Sequence, residues 1–511
     1  MKTLYRGGRI YSPAAPSATA LLVDGDRVAW LGSVADAPVA DVTVDLDGAL
    51  VTPAFVDAHV HTTATGLTLS GLDLAGTRSA AEVLEAVAVH AGGLPADAVV
   101  IGHGWDESGW ARRRLPTAVE LDRAGGGRAV YLSRACVHAA LVSSVLMTAE
   151  ARAATGFDGS GWLRRDAHHV VREAAMGSVT VAQVRRAQLA ALRHAASLGI
   201  AAVHECGGPG TSGEDDFTGL LALSAEQAVP QVYGYWGELG GAAKAKELGA
   251  LGAGGDLYAD GALGARTAHL RQSYVDDVGS CGHGYVTARQ VTEHLVDCVR
   301  HRMQGGFHAI GDAAIATVME GFGGAERLVG QDRLRAGRHR IEHVELLDKA
   351  LIAQLVDFGV VASVQPAFDR LWGGEAGMYA QRLGVERALA ANPIGALAGV
   401  GVGLAFGSDS PVTPLDPWGT CRAAMRHHNP AQRIGLRAAF AAHTRGGWRA
   451  AGHDEEGVLN PGWPATFAVW ETPAGLVGAL PALVSAGPDE PDPLLPVALR
   501  TVRRGATIYE R

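Results

Sequence analysis

Short apolar runs recur along the middle of the chain, and stretches with the amphipathic period of a helix lie between them. The helical pattern is clearest in Val181–Leu198, Ala288–Gln304 and Leu347–Phe358, where apolar residues return every three or four positions. Continuous apolar runs are typical of parallel strands buried on both faces, and their alternation with helices predicts βαβ units. Eight such runs predict an α/β fold, a (β/α)8 TIM barrel. The runs are Thr52–His61, Gly199–Cys206, Pro230–Trp236, Gly255–Gly261, Gly306–Asp312, His339–Glu345, Val360–Pro366 and Gly403–Ser408.

The two ends of the chain have a different pattern, in which short strand-like segments follow one another without helices. Gly, Pro and Asp turn residues separate these segments. We therefore predict that residues 1–51 and 456–511 share one small sheet domain, and that the barrel occupies residues 52–455. The predicted strands of the ends are Thr3–Tyr5, Ala20–Val23, Val28–Gly32, Val42–Asp45, Pro464–Glu471 and Ala498–Tyr509, with an exposed loop at Gly487–Pro496.

One connection is too long for a crossover helix. More than a hundred residues lie between the first and second apolar runs, far more than a βα loop and helix need. We predict an inserted subdomain at about residues 70–180. It contains Trp105, Trp110, His138, Trp162, His168 and His169.

Composition and charge exclude several classes of partner. The 511 residues are 48% hydrophobic and 19% charged, as in a folded globular protein, and the net charge is -9. Because no long basic run is present, nucleic acid and anionic membranes are not expected partners, and no apolar run reaches the roughly 18 residues of a membrane-spanning helix. The sequence leaves the oligomeric state open, with a homo-oligomer as one alternative. The five cysteines are scattered along the chain, so they predict neither disulfides nor a thiolate zinc site and favour a cytoplasmic protein. They are Cys136, Cys206, Cys281, Cys298 and Cys421.

Histidine and aspartate residues mark the ends of four of the predicted barrel strands. His59 and His61 lie two positions apart, so both imidazoles point to the same side of an extended strand. His308, His343 and Asp409 end the fifth, sixth and eighth runs. A single histidine at a strand end is more often structural, but four histidines and a carboxylate at one barrel mouth are typical of a divalent metal site. The ligand types suit zinc, and also iron or manganese.

The predicted ligands indicate hydrolytic chemistry. Imidazoles and a carboxylate hold a divalent ion while leaving a position for water, whose pKa falls to about 7 on a bound ion. A carboxylate at the site can accept the water proton and pass it to a leaving group. Asp409 is our candidate for this proton shuttle.

Seven motifs, in chain order, resemble the amidohydrolase superfamily, and more narrowly the branch of N-substituted formamide deformylases and related N-acyl hydrolases. The resemblance covers nearly the whole chain. The motifs are Thr52–His61 (TPAFVDAHVH), Ile101–Trp105 (IGHGW), Asp260–Ala268 (DGALGARTA), His308–Asp312 (HAIGD), Ile341–His343 (IEH), Ser408–Pro414 (SDSPVTP) and His443–Gly447 (HTRGG).

The resemblance implies a (β/α)8 barrel with a composite β-sandwich built from both chain ends. It also implies hydrolysis of a carbon-nitrogen bond, amide-like or N-formyl, in a small-molecule substrate, with Asp409 activating the water. The residues that it implies as metal ligands are His59, His61, His308, His343 and Asp409.

The sequence departs from this branch at one position. Relatives carry a lysine four residues before the Asp-Gly at Asp260, and its carboxylated amine bridges two metal ions; here that residue is Asp256. We therefore expect no carboxylated lysine. Either Asp256 is a shorter carboxylate ligand, or the site holds one ion, which we favour. With one ion, His59, His61, His308 and Asp409 would ligate, and His343 would polarise the substrate oxygen. A structural alternative is that Asp256 is a strand-end residue satisfied by local hydrogen bonds.

Other residues are candidates for substrate binding. Arg266 lies in the glycine-rich DGALGARTA motif, where it orients a substrate or clamps backbone carbonyls. Trp105, Trp236 and Tyr258 are candidates for lining an apolar pocket, although aromatic residues near strand ends are more often core residues. Two alternative functions stay open: a deaminase of the same superfamily, and a metal-binding scaffold that has lost catalysis.

Overall fold

The computed structural model describes residues 1–135, 139–485, 487 and 490–511, and its central element is a sheet of eight parallel strands. Cys136 and His138 lie outside the described residues. The strands run in the order of the chain around the sheet, as the apolar runs predict. They are β1 (Phe55–Val60), β2 (Ile200–Gly207), β3 (Gln231–Trp236), β4 (Gly252–Ala253), β5 (Gln304–Ala309), β6 (Arg340–His343), β7 (Val361–Val364) and β8 (Gly403–Phe406).

The two edge strands of this sheet meet at their carboxyl ends. The backbone N–H of Asp409 donates to the carbonyl of His59 at 2.8 Å, and that of His61 donates to the carbonyl of Ser410 at 2.9 Å. A parallel bridge between Val60 and Ser410 completes the junction. The sheet is therefore a nearly closed parallel barrel of the TIM type, as predicted.

The prediction of the fourth strand at Gly255–Gly261 is wrong in position. The strand is the short segment Gly252–Ala253, and two glycines then let the chain leave the sheet. A Cβ at Gly254 would lie 2.4 Å from the backbone of Gly306, and Gly255 has φ +74. The predicted run meets β5 again at His308, which forms an isolated parallel bridge with Tyr258. The N–H of His308 donates to the carbonyl of Leu257, and its carbonyl accepts from the N–H of Ala259.

Helices follow most of the barrel strands, and the three predicted helices end within a few residues of their predicted bounds. A π-helix covers Ala442–Gly446, and short 3-10 helices cover Val34–Asp36 and Pro430–Gln432. The α-helices of this part of the chain are Val181–Ser197, Glu214–Glu226, Ala242–Glu247, Ala288–His301, Asp312–Val329, Gln331–Ala336, Lys349–Phe358, Pro366–Trp372, Met378–Leu383, Val385–Ala390, Ile394–Gly399, Pro417–Met425, Leu436–Ala441 and Gly447–Ala450.

Strands from both ends of the chain pair with one another. One five-stranded sheet contains Arg9–Ile10, Leu50–Pro53, Phe467–Glu471, Val497–Arg503 and Ala506–Glu510, and a four-stranded sheet contains Arg27–Gly32, Ala20–Asp24, Lys2–Arg6 and Val42–Asp45. Side chains of both sheets form one hydrophobic cluster that includes Leu21, Val28, Phe467 and Val502. A two-stranded ribbon joins Leu476–Val477 to Leu480–Pro481.

The chain divides into two units, Met1–His61 with Leu192–Arg511, and Thr62–Ala191. The second unit has its own five-stranded sheet and its own hydrophobic core. In the described ranges, the helices are all too short or too polar to serve as membrane-crossing segments. The strands of the second unit are Leu72–Asp73, Val100–Trp105, Val130–Arg134, Ala139–Val142 and Trp162–Arg164, and its helices are Thr62–Ser70, Ala80–Gly92, Ala118–Ala124, Ala149–Ala153 and Arg165–Gly177, with 3-10 turns at Glu107–Gly109 and Ser144–Leu146.

Candidate metal centre

Four histidines and two aspartates meet at the carboxyl end of the barrel. His59 lies on β1, His61 directly follows it, His308 lies on β5 and His343 ends β6. Asp409 follows β8 by three residues, and Asp256 follows β4 by three. Five of these six residues are buried, and the side chain of His61 is 18% exposed. The structure thus brings together all five predicted ligands and the aspartate at the lysine position.

Asp256 lies at the centre of the group. Its Oδ1 is 3.5 Å from His59 Nε2, 3.6 Å from His308 Nδ1 and 3.9 Å from His343 Nε2. Its Oδ2 is 3.2 Å from His61 Nε2. Asp256 is thus in contact with all four imidazoles of the group, which makes it a candidate ligand.

Asp409 completes the second half of the group. Its Oδ1 lies 3.4 Å from His59 Nε2 and 3.2 Å from His61 Nε2. Donor atoms on a tetrahedral ion, each about 2.0 Å from the metal, are about 3.3 Å apart. His59, His61 and Asp409 therefore have the spacing of ligands around one ion, and His59, Asp256 and His343 form a second group of this kind.

Three polar atoms of the group make no hydrogen bond to any described residue, although they are buried. They are His59 Nε2, Asp256 Oδ1 and His308 Nδ1. A buried polar atom without a partner costs free energy of the order of 1–3 kcal/mol, so three of them in one place call for a ligand. Imidazole nitrogens around carboxylate oxygens are a donor set that suits a divalent transition metal, and the residues fit such an ion.

The electrostatics of the group favour ionised carboxylates. Burial raises the pKa of Asp256, but the positive potential of His59 and contacts with the other histidines outweigh it and hold that pKa well below its ordinary value. Burial likewise lowers the pKa of His61, but Asp256 and Asp409 outweigh it and raise that pKa well above 6.5. The site therefore offers negative charge to a cation.

Two residues of the group have left-handed backbone conformations. The φ of His343 is +72 and that of Asp409 is +56. Such angles cost a non-glycine residue roughly 1–2 kcal/mol and occur at functional sites where surrounding contacts impose them. Here the hydrogen bond from the N–H of Asp409 to His59 sets its carboxylate beside the two histidines of β1.

The predicted substrate-binding residues lie in different surroundings. The hydroxyl of Tyr258 donates to Asp256 Oδ2 at 3.2 Å, and its ring lies against His308. Arg266 donates two hydrogen bonds to the carboxylate of Asp276, whereas the structural alternative expected backbone carbonyls as its acceptors. Tyr258 is thus beside the metal group, and Arg266 is engaged in an ion pair.

The two tryptophans are core residues in this structure. Trp105 is fully buried in the second unit, where its indole N–H donates to the carbonyl of Leu132. Trp236 is buried against Phe217 and donates to Glu238. Packing and hydrogen bonds already satisfy both side chains, so we do not include them among the residues of the site.

Sequence reasoning missed four buried polar residues beside the ligands. Glu342 accepts from His59 Nδ1 at 2.9 Å, Gln365 lies 2.9 Å from His343 Nδ1, and Asp57 accepts from the backbone N–H of Ser408. Arg340 forms an ion pair with Glu342. The signal for the Arg340–Glu342 pair was two charged residues at alternate positions of an otherwise buried strand.

Comparisons with known proteins agree with this geometry. Residues 42–509 match the model of the amidohydrolase family. A protein of Arabidopsis thaliana, LONG AFTER FAR-RED 3, is 28% identical over 89% of this chain and 84% of its own length. The N-substituted formamide deformylase of Arthrobacter pascens is 31% identical over 137 residues, 25% of each chain.

A solved structure supports the same assignment. A metal-dependent hydrolase of uncharacterised activity from Pyrococcus furiosus is 26% identical, with a TM-score of 0.78 over 92% of this chain and 98% of that one. The resemblance read from the sequence motifs is thereby confirmed. Since the family model extends over nearly all of its residues, this protein belongs to the amidohydrolase family.

Proposed function

We propose that this protein hydrolyses a carbon-nitrogen bond, amide-like or N-formyl, in a small-molecule substrate. Family membership and the solved relative support metal-dependent hydrolysis as the general activity. The observation that carries the proposal is the buried group of four histidines and two aspartates with three unpartnered donor atoms. The local similarity to a formamide deformylase favours N-formyl compounds among the possible substrates.

The proposed cofactor is one divalent ion, with zinc the first choice from the ligand types. His59, His61 and Asp409 would hold it, because their ligand atoms form one group in which Asp409 Oδ1 lies 3.2–3.4 Å from Nε2 of each histidine. His308 and His343 are 3.6 and 3.9 Å from Asp256. Because His59, Asp256 and His343 form a second group with ligand spacing, His308 and His343 would face the substrate or hold a second ion that shares Asp256.

The ion supplies a polarised water that is nucleophilic near neutral pH. Asp409 has the place of the general base, since its carboxylate lies beside both histidines of β1 and its backbone is fixed by His59. It would accept a proton from the attacking water and return it to the leaving nitrogen. His343 would donate a hydrogen bond to the substrate oxygen.

The first test is the metal content per chain, measured by elemental analysis on protein purified without chelator or added metal. About one equivalent of a transition metal supports the one-ion site, and about two would make Asp256 a shared ligand. Protein that contains none, and acquires none on incubation with Zn²⁺ or Mn²⁺, would contradict the proposal.

The second part of the test is a substrate panel with the metal-loaded protein. N-formyl amines, N-acyl amines and amidines are incubated with it, and formate, free amine and ammonia are measured. Release of formate or carboxylate with an amine supports the proposal. Ammonia alone from amidines would support a deaminase, and a loaded protein inactive on the whole panel would support a non-catalytic scaffold.

We also propose how the chain is partitioned and where it resides. Residues 1–51 and 456–511 would form a composite β-sandwich, since their strands share a sheet and a hydrophobic cluster. The proposed insertion, at about residues 70–180, lies within the separate unit Thr62–Ala191. The free cysteines of the described chain support a reducing compartment such as the cytoplasm.

A further inference from the structure

A buried pair of opposite charges lies inside the barrel beneath the metal group. Arg340 and Glu342 occupy alternate positions of β6, and both are fully buried. The Arg340 Nε donates to Glu342 Oε1, and one terminal nitrogen donates to Oε2 at 2.8 Å. The same Oε2 lies 2.9 Å from Nδ1 of His59. The carboxylate therefore joins the arginine to a proposed metal ligand.

This contact fixes the position of the proton on His59. Both oxygens of Glu342 accept hydrogen bonds from the Arg340 guanidinium, and this bidentate ion pair keeps the carboxylate ionised. An ionised carboxylate only accepts hydrogen bonds, so His59 Nδ1 must carry the proton and donate. The other nitrogen, Nε2, is then free to ligate, and it is the one that faces Asp256 and Asp409.

Arg340 is itself held from several strands. It donates to the carbonyl of Ala58 on β1 at 2.6 Å, to Ser363 on β7 at 2.9 Å and to His204 Nδ1 on β2 at 2.9 Å. Its guanidinium lies 4.4 Å from the ring centre of Tyr235 on β3. A lysine has neither the planar fork nor the number of donors to make these contacts together.

We infer that Glu342 and Arg340 are positioning residues for the metal site: Glu342 holds His59 with its proton on Nδ1, and Arg340 fixes Glu342 through contacts with four other strands. The inference rests on the proposed function, since it assigns His59 as a ligand. Carboxylates that accept from the remote nitrogen of a ligating histidine orient its ring and raise its basicity, and their loss weakens metal affinity about 10–100-fold.

The first test examines the hydrogen bond without relying on metal. Wild-type protein with ¹⁵N-labelled histidine is studied by NMR, both metal-free and loaded with Zn²⁺, and His59 is assigned by comparison with His59→Asn. We expect a proton on Nδ1 of His59 in both forms, protected from exchange with solvent. A His59 without a proton on Nδ1 would overturn the inference.

The second test uses two variants of matched size that both lack the buried charges. Removal of Glu342 alone would leave Arg340 buried and unpaired, so both variants also carry Arg340→Met. One is Arg340→Met with Glu342→Gln, whose side-chain oxygen still accepts from His59. The other is Arg340→Met with Glu342→Leu, which has no acceptor. Circular dichroism and thermal unfolding of the metal-free proteins establish that both fold.

Zinc affinity is then measured by competition with a chromogenic chelator. We expect the Gln variant to bind Zn²⁺ about 10–100-fold more tightly than the Leu variant. Equal dissociation constants in two folded variants would overturn the positioning role. Wild-type protein that binds no Zn²⁺ would overturn the proposed metal site instead, and the NMR measurement would still decide the hydrogen bond.

Discussion

At the scale of single residues, the exchange of one side chain changes the design of the site. Asp256 stands where the resembling branch has a bridging lysine, and its side chain is several atoms shorter than a carboxylated lysine. It nevertheless lies 3.2–3.9 Å from a nitrogen of each of the four histidines. We therefore propose that the shorter carboxylate belongs to a compact site, with one ion.

Asp409→Asn is the sharpest test of proton transfer at this scale. The amide keeps an oxygen that can ligate, but it cannot accept a proton from water. We expect the rate constant kcat to fall about 10²–10⁴-fold, as for other lost general bases, while zinc content stays near that of the wild type. Turnover is measured on the substrate found in the panel. Asp215→Asn, on an exposed helix, is the matched control, and an Asp409→Asn variant with full turnover would remove Asp409 from the proton path.

At the scale of elements, the junction between β1 and β8 holds three of the proposed ligands. Asp57 accepts hydrogen bonds from the backbone N–H groups of His59 and Ser408 across this junction. Gly407 lies against it, and a Cβ there would be 2.5 Å from the backbone nitrogen of His59 and 3.1 Å from Asp57. Neither neighbour is the flexible end of a long side chain, so the strands must separate to accept a methyl group.

We therefore predict that Gly407→Ala destabilises the protein and weakens metal binding together. Overpacking of this kind costs about 1–3 kcal/mol in the free energy of unfolding, which urea titration measures. The control is Gly399→Ala at a helix end, where a Cβ meets no atom within 4 Å and alanine favours the helix. A Gly407→Ala protein as stable as this control would show that the junction is not tightly packed.

Much of the element pattern could be predicted from the sequence, and the exceptions have physical causes. Seven of the eight barrel strands overlap their apolar runs, because buried parallel strands need continuous apolar residues. The fourth strand does not overlap its predicted run, because the strand ends at Ala253, and Gly254 and Gly255 then turn the chain out of the sheet. Trp105 and Trp236 were candidates for a pocket but lie in the core, because a sequence does not show which way an aromatic side chain points.

At the scale of the whole molecule, the ligands were easier to predict than the residues that hold them. A histidine at a strand end is visible because the carboxyl ends of all barrel strands meet at one mouth. The hydrogen-bond network of Arg340 could not be seen in the sequence, because its partners Ala58, His204 and Ser363 come from different strands and belong to no recognisable motif. Contacts across the barrel depend on strand register, which the apolar pattern leaves undetermined.

The barrel also contains buried histidines far from the metal group, and these make its stability depend on pH. His339 is buried, and its Nδ1 accepts from the backbone N–H of Gly305 at 2.8 Å. Burial, with the nearby His294, lowers the pKa of His339 from 6.5 to about 4. Between pH 6.5 and pH 4, His339 therefore binds a proton in the unfolded chain but not in the folded chain. Its contribution to the free energy of unfolding is present above pH 6.5 and is lost as the pH falls towards 4.

His339→Asn tests this dependence, because the asparagine oxygen can accept from Gly305 but cannot take up a proton. Between pH 7 and pH 5, we expect the free energy of unfolding of the metal-free wild type to fall about 2 kcal/mol more than that of the variant. Urea unfolding at the two pH values gives the difference, and His169→Asn, on an exposed helix position, should behave as the wild type. Parallel losses in all three proteins would contradict a lowered pKa for His339 in the folded chain and would mean that the acid sensitivity of the barrel arises from other groups.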